Sequence, residues 1–525
     1  MNLTADQNDA LNKITNFLQS RDRQIFILKG YAGSGKTYLI KIIAEYLKKN
    51  HIDFYLAAPT GRAARVLASK SGMNATTIHK LIYSEKSNEI IENENAEIIW
   101  HFDVGQNDHS INAVYVFDEA SMISDVESDD NENLRFGSGR LLHDIIEFVN
   151  LKLEEKSKQI NRKIIFVGDP AQLPPVSENS SPALSGSYLN KEYGLKSVSH
   201  ELKEVVRQVG NSHPLNAATS IRNSLYNNRY NSFNINNFVT PLPQKEGFFT
   251  NWSKIDDKKI ICYSNKIAFE ENLFIRKNLF GNEGNQILLG EELIVTSNNY
   301  YYGLMNGEFV SVVDAEENVE NFERTLKGWD KPTHISFRNV KIKSINEKSE
   351  EIVQNVKITD HLLWSGERDL TKEEFILTRI IAEEKEGISY PRKKHFSNIK
   401  EYNAAKKEYF KRLRESPYFN ALRVKFGYAV TCHKAQGGEW ENVFINFSGF
   451  SAYSNEFFFR WAYTAVTRAK QELYAINLPH FTPYSNLLSN PDDMNELAEF
   501  EEVNIPEIEI PPHLRKKKKK RIYLK

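Results

Sequence analysis

Gly30-Tyr31-Ala32-Gly33-Ser34-Gly35-Lys36-Thr37 fits the phosphate-binding pattern G-x-x-x-x-G-K-[ST] at every position. In such a loop the backbone N–H groups of Gly30, Ala32, Gly33, Ser34 and Gly35 turn toward a phosphate. Lys36 would reach its outer oxygens, and Thr37 would hold Mg²⁺. A second motif, the acidic pair Asp118-Glu119, has the complementary chemistry. Asp118 would hold Mg²⁺ through water, while Glu119 would orient and deprotonate an attacking water. Gln172, in Gly168-Asp169-Pro170-Ala171-Gln172-Leu173-Pro174-Pro175, is placed to sense a terminal phosphate. A Pro-rich turn is the plainer reading of that segment.

These residues need a scaffold, and their flanks supply one. Gln24-Ile25-Phe26-Ile27-Leu28 is a short apolar run suited to a buried parallel strand. From Tyr38 to Lys49, apolar residues recur at Leu39, Ile40, Ile43, Ala44 and Leu47, which is helical spacing. Strand, loop and helix N-terminus together make an anion site. Val114-Tyr115-Val116-Phe117 carries Asp118-Glu119 at its end, and Lys163-Ile164-Ile165-Phe166-Val167 leads to Gln172. All three runs would place polar residues at the carboxyl edge of one parallel sheet.

At 525 residues the chain exceeds one hydrophobic core and should divide into several domains. Hydrophobic content of 40% and charged content of 26% are those of a soluble globular protein. No apolar run has the length of a membrane helix, and the polar N-terminus is no signal peptide, so a cytoplasmic protein is expected (nucleoid-associated in a prokaryote). Cys262 and Cys432 sit in apolar segments and read as reduced thiols. The formal net charge of −1 means that any polyanion must meet local patches.

Further segments stand in order with those above. They are Leu3-Thr4-x-x-Gln7, Ala58-Pro59-Thr60-Gly61-Arg62-Ala63-Ala64, Thr76-Thr77-Ile78-His79, Val206-Arg207-Gln208, Ala429-Val430-Thr431-Cys432-His433-Lys434-Ala435-Gln436-Gly437, and Tyr463-Thr464-Ala465-Val466-Thr467-Arg468-Ala469. This series resembles the superfamily 1B helicases, in particular the RecD-like and Dda-type branch. The resemblance implies an α/β fold with two tandem RecA-like domains binding ATP and Mg²⁺ in the cleft between them. In it Gln7 would read adenine, Arg207 and Arg468 would contact the γ-phosphate, and Gly437 and Glu439 would couple nucleotide state to the nucleic-acid path.

The same resemblance implies that single-stranded DNA lies across both motor domains, held by Pro59, Thr60, Thr77 and His79 in the first and by Ser264, Asn265, Thr431, His433 and Lys434 in the second. Small hydroxyls and amides suit phosphate contacts without base readout. His79 can equally cap or pack, and Thr431 can be a turn residue. Residues 1–80 and 113–200 would form motor domain 1A, and 201–306 with 426–490 domain 2A. Between Leu81 and Ala113 the pattern reads as a β-hairpin (1B, 81–112) with Gly105-Gln106-Asn107-Asp108 as its turn. Trp100 and Phe102 share one strand face, either as a pin at a duplex junction or as packing. Residues 307–425 carry short alternating strands that suggest a small barrel, which the resemblance makes an SH3-like 2B insertion. Its lysine-rich stretch 398–415 has helical period. The segment 124–133 reads as an exposed acidic loop. Residues 491–525 are acidic and then polybasic, a composition that cannot pack.

The reading is thus an ATP-dependent DNA helicase, 5′ to 3′ by resemblance, acting on single-stranded, forked or tailed DNA. Replication or repair proteins are possible partners, and no membrane is. An RNA helicase of the same superfamily and an ATP-gated nucleic-acid clamp are the alternatives.

Overall fold

The computed structural model describes residues 3–92, 98–127, 134–151, 160–204, 212–243, 246–281, 286–325, 331–346 and 350–481. Strands are numbered along the chain. Six of them, β1 (Ile25–Gly30), β2 (Phe54–Ala58), β3 (Ala75–Thr77), β6 (Val114–Phe117), β8 (Lys163–Gly168) and β9 (Ser197–Leu202), form a wholly parallel sheet. Its order is β3-β2-β6-β8-β1-β9. The most apolar runs, β6, β8 and β1, take the central positions, because only there are both strand faces covered. Helices Ala5–Gln19 and Lys36–Lys49 bury Ile14, Phe17, Leu39 and Ile43 on one face of this sheet. Helices Leu141–Val149 and Gly186–Tyr193 bury Leu142, Ile145 and Leu189 on the other.

A second parallel sheet takes β10 (Thr240–Leu242), β11 (Lys258–Cys262), β18 (Ala429–Thr431), β19 (Trp440–Asn446) and β20 (Ala469–Ile476) in the order β10-β20-β19-β11-β18. Helices His213–Tyr226, Asn265–Phe280 and Glu456–Val466 cover it. Cys262 and Cys432 are buried and unpaired in its core. No helix among the described residues is long and apolar enough to cross a membrane.

The third sheet is antiparallel and holds β12 (Glu292–Val295), β13 (Phe309–Ala315), β14 (Glu320–Arg324), β15 (Thr333–Ile345), β16 (Glu351–Thr359) and β17 (Val424–Phe426). Just before β17, Leu422 N donates to Lys357 O at 2.7 Å and Leu422 O accepts from Thr359 N at 3.1 Å. These bonds join the β17 segment to β16 and close the sheet on itself as a small barrel. Sequence pattern assigns β12 to the second parallel domain, yet it pairs with β13 and β17. An apolar strand of four residues gives no sign of which ladder will take it. The lysine-rich stretch is the helix Ile399–Glu415, capped by Asn398. Its Tyr409, Phe410 and Leu413 are buried.

The predicted hairpin is real, but its turn is elsewhere. β4 (Tyr83–Glu92) pairs antiparallel with β5 (Ile98–Val104), so the connection precedes β5 and runs through residues outside those described. Gly105-Gln106-Asn107-Asp108 instead leads back toward β6. Asn107 Nδ2 anchors it, donating to Tyr115 Oη at 2.9 Å and to Phe148 O at 2.8 Å. A third strand, β7 (Leu134–Phe136), comes from beyond the acidic loop and pairs parallel with β5.

Candidate nucleotide and nucleic-acid sites

β1 ends in the phosphate loop, whose Gly33 and Gly35 have φ of 79° and 81°. Side chains resist that region, so the glycines are required there. A Cβ on Gly30 would lie 2.6 Å from Ser34 Oγ, which leaves no room for a larger residue. Lys36 Nζ donates to Gly30 O at 2.7 Å and Tyr31 O at 3.2 Å, so the loop's own carbonyls hold the ammonium. Thr37 follows in the first turn of the helix. Gln7 completes a capping box, its Oε1 accepting from Thr4 N at 3.1 Å. Its Nε2 donates to Ser34 O at 3.1 Å, tying the N-terminal helix to the loop.

Asp118 and Glu119 leave the end of β6 beside that loop. Burial, and then the neighbouring charge of Glu119, push the Asp118 carboxyl up to about 7. Glu119 N donates to Asp118 Oδ1 at 2.9 Å, and Glu119 itself has φ 50°, an uncommon conformation for a residue with a side chain. Glu119 Oε2, Ser34 Oγ and Gln172 Oε1 are buried without a hydrogen-bond partner. Buried polar atoms of this kind are expensive unless something satisfies them. A triphosphate with a divalent cation would satisfy them, and Thr37 and Asp118 would offer the metal oxygen ligands.

Across the cleft, the helix Glu456–Val466 of the second sheet supplies contacts that sequence reading missed. Tyr463 Oη donates to Asp169 Oδ2 at 2.7 Å and accepts from Ala32 N at 3.0 Å. Thr464 Oγ1 accepts from Leu173 N at 2.8 Å, and Arg460 donates to the carbonyl of Pro170. Gln436 Nε2 donates to Leu173 O at 3.2 Å. The nucleotide loop and the Gln172 segment therefore face one helix of the other domain. Arg468 is buried and directs its donors to Thr464 O, Gly438 O and Thr467 Oγ1, all on its own side. Arg207 lies outside the described residues.

Gly437 and Glu439 make their contacts with the helix Gly61–Ser71 of the first domain. A Cβ on Gly437, which has φ 73°, would lie 2.9 Å from Ala63 Cβ. Glu439 pairs with Lys70 at 2.9 Å, and its carbonyl accepts from Arg62 at 3.0 Å. The Arg62 guanidinium lies 4.0 Å over the Trp440 ring, and burial draws it down to about 10. These contacts run to the first domain's helix, not to the phosphate loop.

The expected strand-path residues cluster at helix N-termini. Thr60, beside Pro59, caps Gly61–Ser71; Thr77 caps Ile78–Ile82; Ser264 caps Asn265–Phe280. Thr431 precedes Cys432–Ala435 without a side-chain cap. They follow β2, β3, β11 and β18, where parallel strands present helix N-termini favourable to anions. Asn265, Thr431 and Lys434 line one pocket together with Ser365, Arg368 and Lys425, the last three unforeseen from sequence. Burial brings Lys434 and Lys425 down to about 8 and lowers His433.

Phe102 is buried away from a surface role, while His79 is half-buried among aromatic rings. His79 packs on Tyr83 and edge-on to Phe136, at ring-centroid distances of 5.5 and 5.0 Å. Burial pulls it down to about 4, so it is neutral near pH 7. Phe102 is 5% exposed and stacks on Phe136 at 4.9 Å, against Tyr300 from the segment between β12 and β13. An aromatic held there cannot meet a base pair, which corrects the expected pin role for Phe102. Trp100 stands opposite Ile90 in the β4–β5 ladder. The polybasic tail and part of the acidic loop lie outside the described residues.

Residues 2–130 match the AAA domain family, and residues 426–476 match the UvrD-like helicase C-terminal domain family. The two matches bracket the motifs of both parallel domains. Together with the motif order, they support a superfamily 1B helicase. It is 27% identical to an uncharacterized protein of Acanthamoeba polyphaga mimivirus over 88% of its length and 97% of the relative's. It is 26% identical to the ATP-dependent DNA helicase Dda of Enterobacteria phage T4, over 59% of this chain and 65% of Dda. Among solved structures it is similar to the Pif1 helicase from Bacteroides in complex with ADP-AlF3 and ssDNA. That likeness has 15% identity and a TM-score of 0.43, and covers 96% of this chain and 98% of the other.

Proposed function

We propose that this chain is an ATP-driven DNA helicase that moves 5′ to 3′ along single-stranded DNA. The observation that carries the reading is the Tyr463 hydroxyl. It touches Ala32 of the phosphate loop and Asp169 of the Gln172 segment from the opposite domain. Nucleotide chemistry in the first domain is thereby joined to the domain whose β11 and β18 lead to Ser264 and Thr431. A change at the phosphates can thus shift the grip on a strand.

In this mechanism Lys36 exchanges the carbonyls of Gly30 and Tyr31 for phosphate oxygens. Mg²⁺, held by Thr37 and Asp118, would supply charge neutralisation at the phosphates. Glu119 accepts the proton of the attacking water at Oε2, its unpartnered buried oxygen. The backbone conformation of Glu119 is consistent with strain held at a working residue. Arg468 and Arg207 would turn toward the transferred phosphoryl group on closure. Forked or tailed DNA is the duplex substrate in this reading, and the polybasic tail is a phosphate tether.

The test is strand separation on matched 5′-tailed and 3′-tailed duplexes, each made in DNA and in RNA, with Glu119→Gln as control. Unwinding of 5′-tailed DNA by the native chain, lost in Glu119→Gln despite retained ATP binding, is the expected result. Preference for RNA tails would make it an RNA motor. ATP-dependent binding without strand separation would make it a clamp.

A further inference from the structure

We propose that Tyr263, Phe450 and Phe457 form a base-stacking platform that takes one unpaired base of the bound strand. The proposal rests on the single-strand reading above and adds to the phosphate contacts a site for the base itself.

Backbone register puts the platform on the strand path. Cys262 of β11 pairs with Thr431 of β18, so Tyr263 leaves the sheet at the same edge as Thr431. The next residue, Ser264, caps the helix Asn265–Phe280, and Asn265 shares a pocket with Thr431 and Lys434. Adjacent β19 also ends at this edge. Its connection to the helix Glu456–Val466 carries Phe450, and Phe457 lies in the first turn of that helix. Tyr263 thus directly precedes Ser264, and the connection that carries Phe450 starts from the same sheet edge.

The rings are exposed where single large aromatics are usually covered. Tyr263 is 36% exposed and Phe457 44% exposed. Tyr263 contacts both other rings: its centroid lies 4.1 Å from that of Phe450, and Phe457 stands T-shaped to it at 6.3 Å. Phe450 is rooted in the core by edge contacts to Phe458 and Trp461. The connection itself is held rigid. Ser448 N and Oγ both donate to Asn446 Oδ1, and Asn446 Nδ2 donates to Glu271. Gly449, at φ 95°, lets the backbone pass so close that a Cβ would lie 2.5 Å from Ile267 and 3.3 Å from the Tyr263 ring. A prearranged aromatic face beside a phosphate pocket suits any nucleobase, because every base has a π-face and none need be read by its edge. A protein partner would use the same apolar face without needing the pocket beside it.

The experiment pairs variants with gaps in the ligand. Fluorescence anisotropy measures binding of a short single-stranded DNA and of the same strand with abasic sites stepped along it, at fixed salt. For the native chain, one abasic position should weaken binding roughly tenfold, the order of one lost stack. Tyr263→Leu with Phe457→Leu keeps the apolar bulk and should weaken the intact strand by the same factor, while losing sensitivity to that abasic position. Tyr263→Phe should behave as native. Melting curves confirm that each variant is folded. Equal sensitivity to the abasic position in native and doubly substituted chains overturns the platform and leaves the single-strand reading intact. Absence of any single-strand binding by the native chain overturns both.

Discussion

Tyr463 reaches across the cleft between the two parallel sheets and hydrogen-bonds to Asp169, a fully buried carboxylate at the end of β8, at 2.7 Å. Burial and the nearby Asp169 charge raise the phenol well above its usual range, so it stays a donor at any physiological pH. Apart from Tyr463, Asp169 accepts from the Ala171 N–H at 3.0 Å.

Tyr463→Phe removes only the hydroxyl. It leaves Asp169 and the Ala32 N–H each short of a partner while preserving the ring in its buried site. Hydrogen bonds to charged groups are worth about 1.5–3 kcal/mol, so the closed cleft should be populated roughly ten- to hundredfold less. DNA-stimulated ATPase should show this as a lower kcat with KM for ATP little changed. A normal kcat in Tyr463→Phe would make the contact a packing detail.

Arg468 offers a sharper choice between two roles. Its guanidinium bonds to Thr464 O at 3.0 Å and Gly438 O at 3.3 Å, as a structural arginine would. If it also meets the phosphoryl group on closure, Arg468→Ala should slow hydrolysis by about a hundredfold or more at saturating ATP. Arg468→Lys keeps a charge but not the fork of donors and should recover little of that rate. A large drop in melting temperature with near-normal turnover would leave only the structural role.

His79 gives a prediction about pH. Its folded value of about 4 lies below the ordinary 6.5, because burial among Tyr83 and Phe136 disfavours the charged ring. The unfolded chain therefore binds a proton first as pH falls. Stability is complete above about 6.5 and declines from there toward 4, by up to about 3 kcal/mol for this one group. His79→Phe should flatten the melting temperature between those pH values. An identical pH profile in the variant would mean that the ring is solvated and free to meet phosphate.

Much of the nucleotide site was legible because its parts are contiguous. Each motif is a strand followed by the polar residues that the strand delivers, so β1 with Gly30–Thr37 and β6 with Asp118-Glu119 could be read from local pattern alone. What stayed hidden is non-local. Tyr463 sits 294 residues from Asp169, and nothing in either segment announces that they meet. The pairing of Arg62 with Trp440, and the capture of β12 by the barrel, are likewise choices of tertiary packing. The threonines proposed for the strand path rest on resemblance; the structure adds that Thr60 and Thr77 cap helix N-termini, which favour anions.

The hairpin prediction follows from where Phe102 lies. It is sealed between Phe136 and Tyr300, so the β4–β5–β7 sheet is fastened to the segment between β12 and β13 by an aromatic stack. Phe102→Ala would open a cavity there at a cost of about 3–5 kcal/mol. Thermal stability should fall, and unwinding and ATPase should fall together as the folded fraction shrinks. Trp100→Ala tests the remaining pin candidate on the same strand. If a base pair is held apart by that ring, strand separation should drop while single-strand-stimulated ATPase and melting temperature stay near native. Measuring all three quantities on both variants separates packing from wedging. Full unwinding by Trp100→Ala would remove the aromatic pin from this hairpin and leave the sheet as a steric divider.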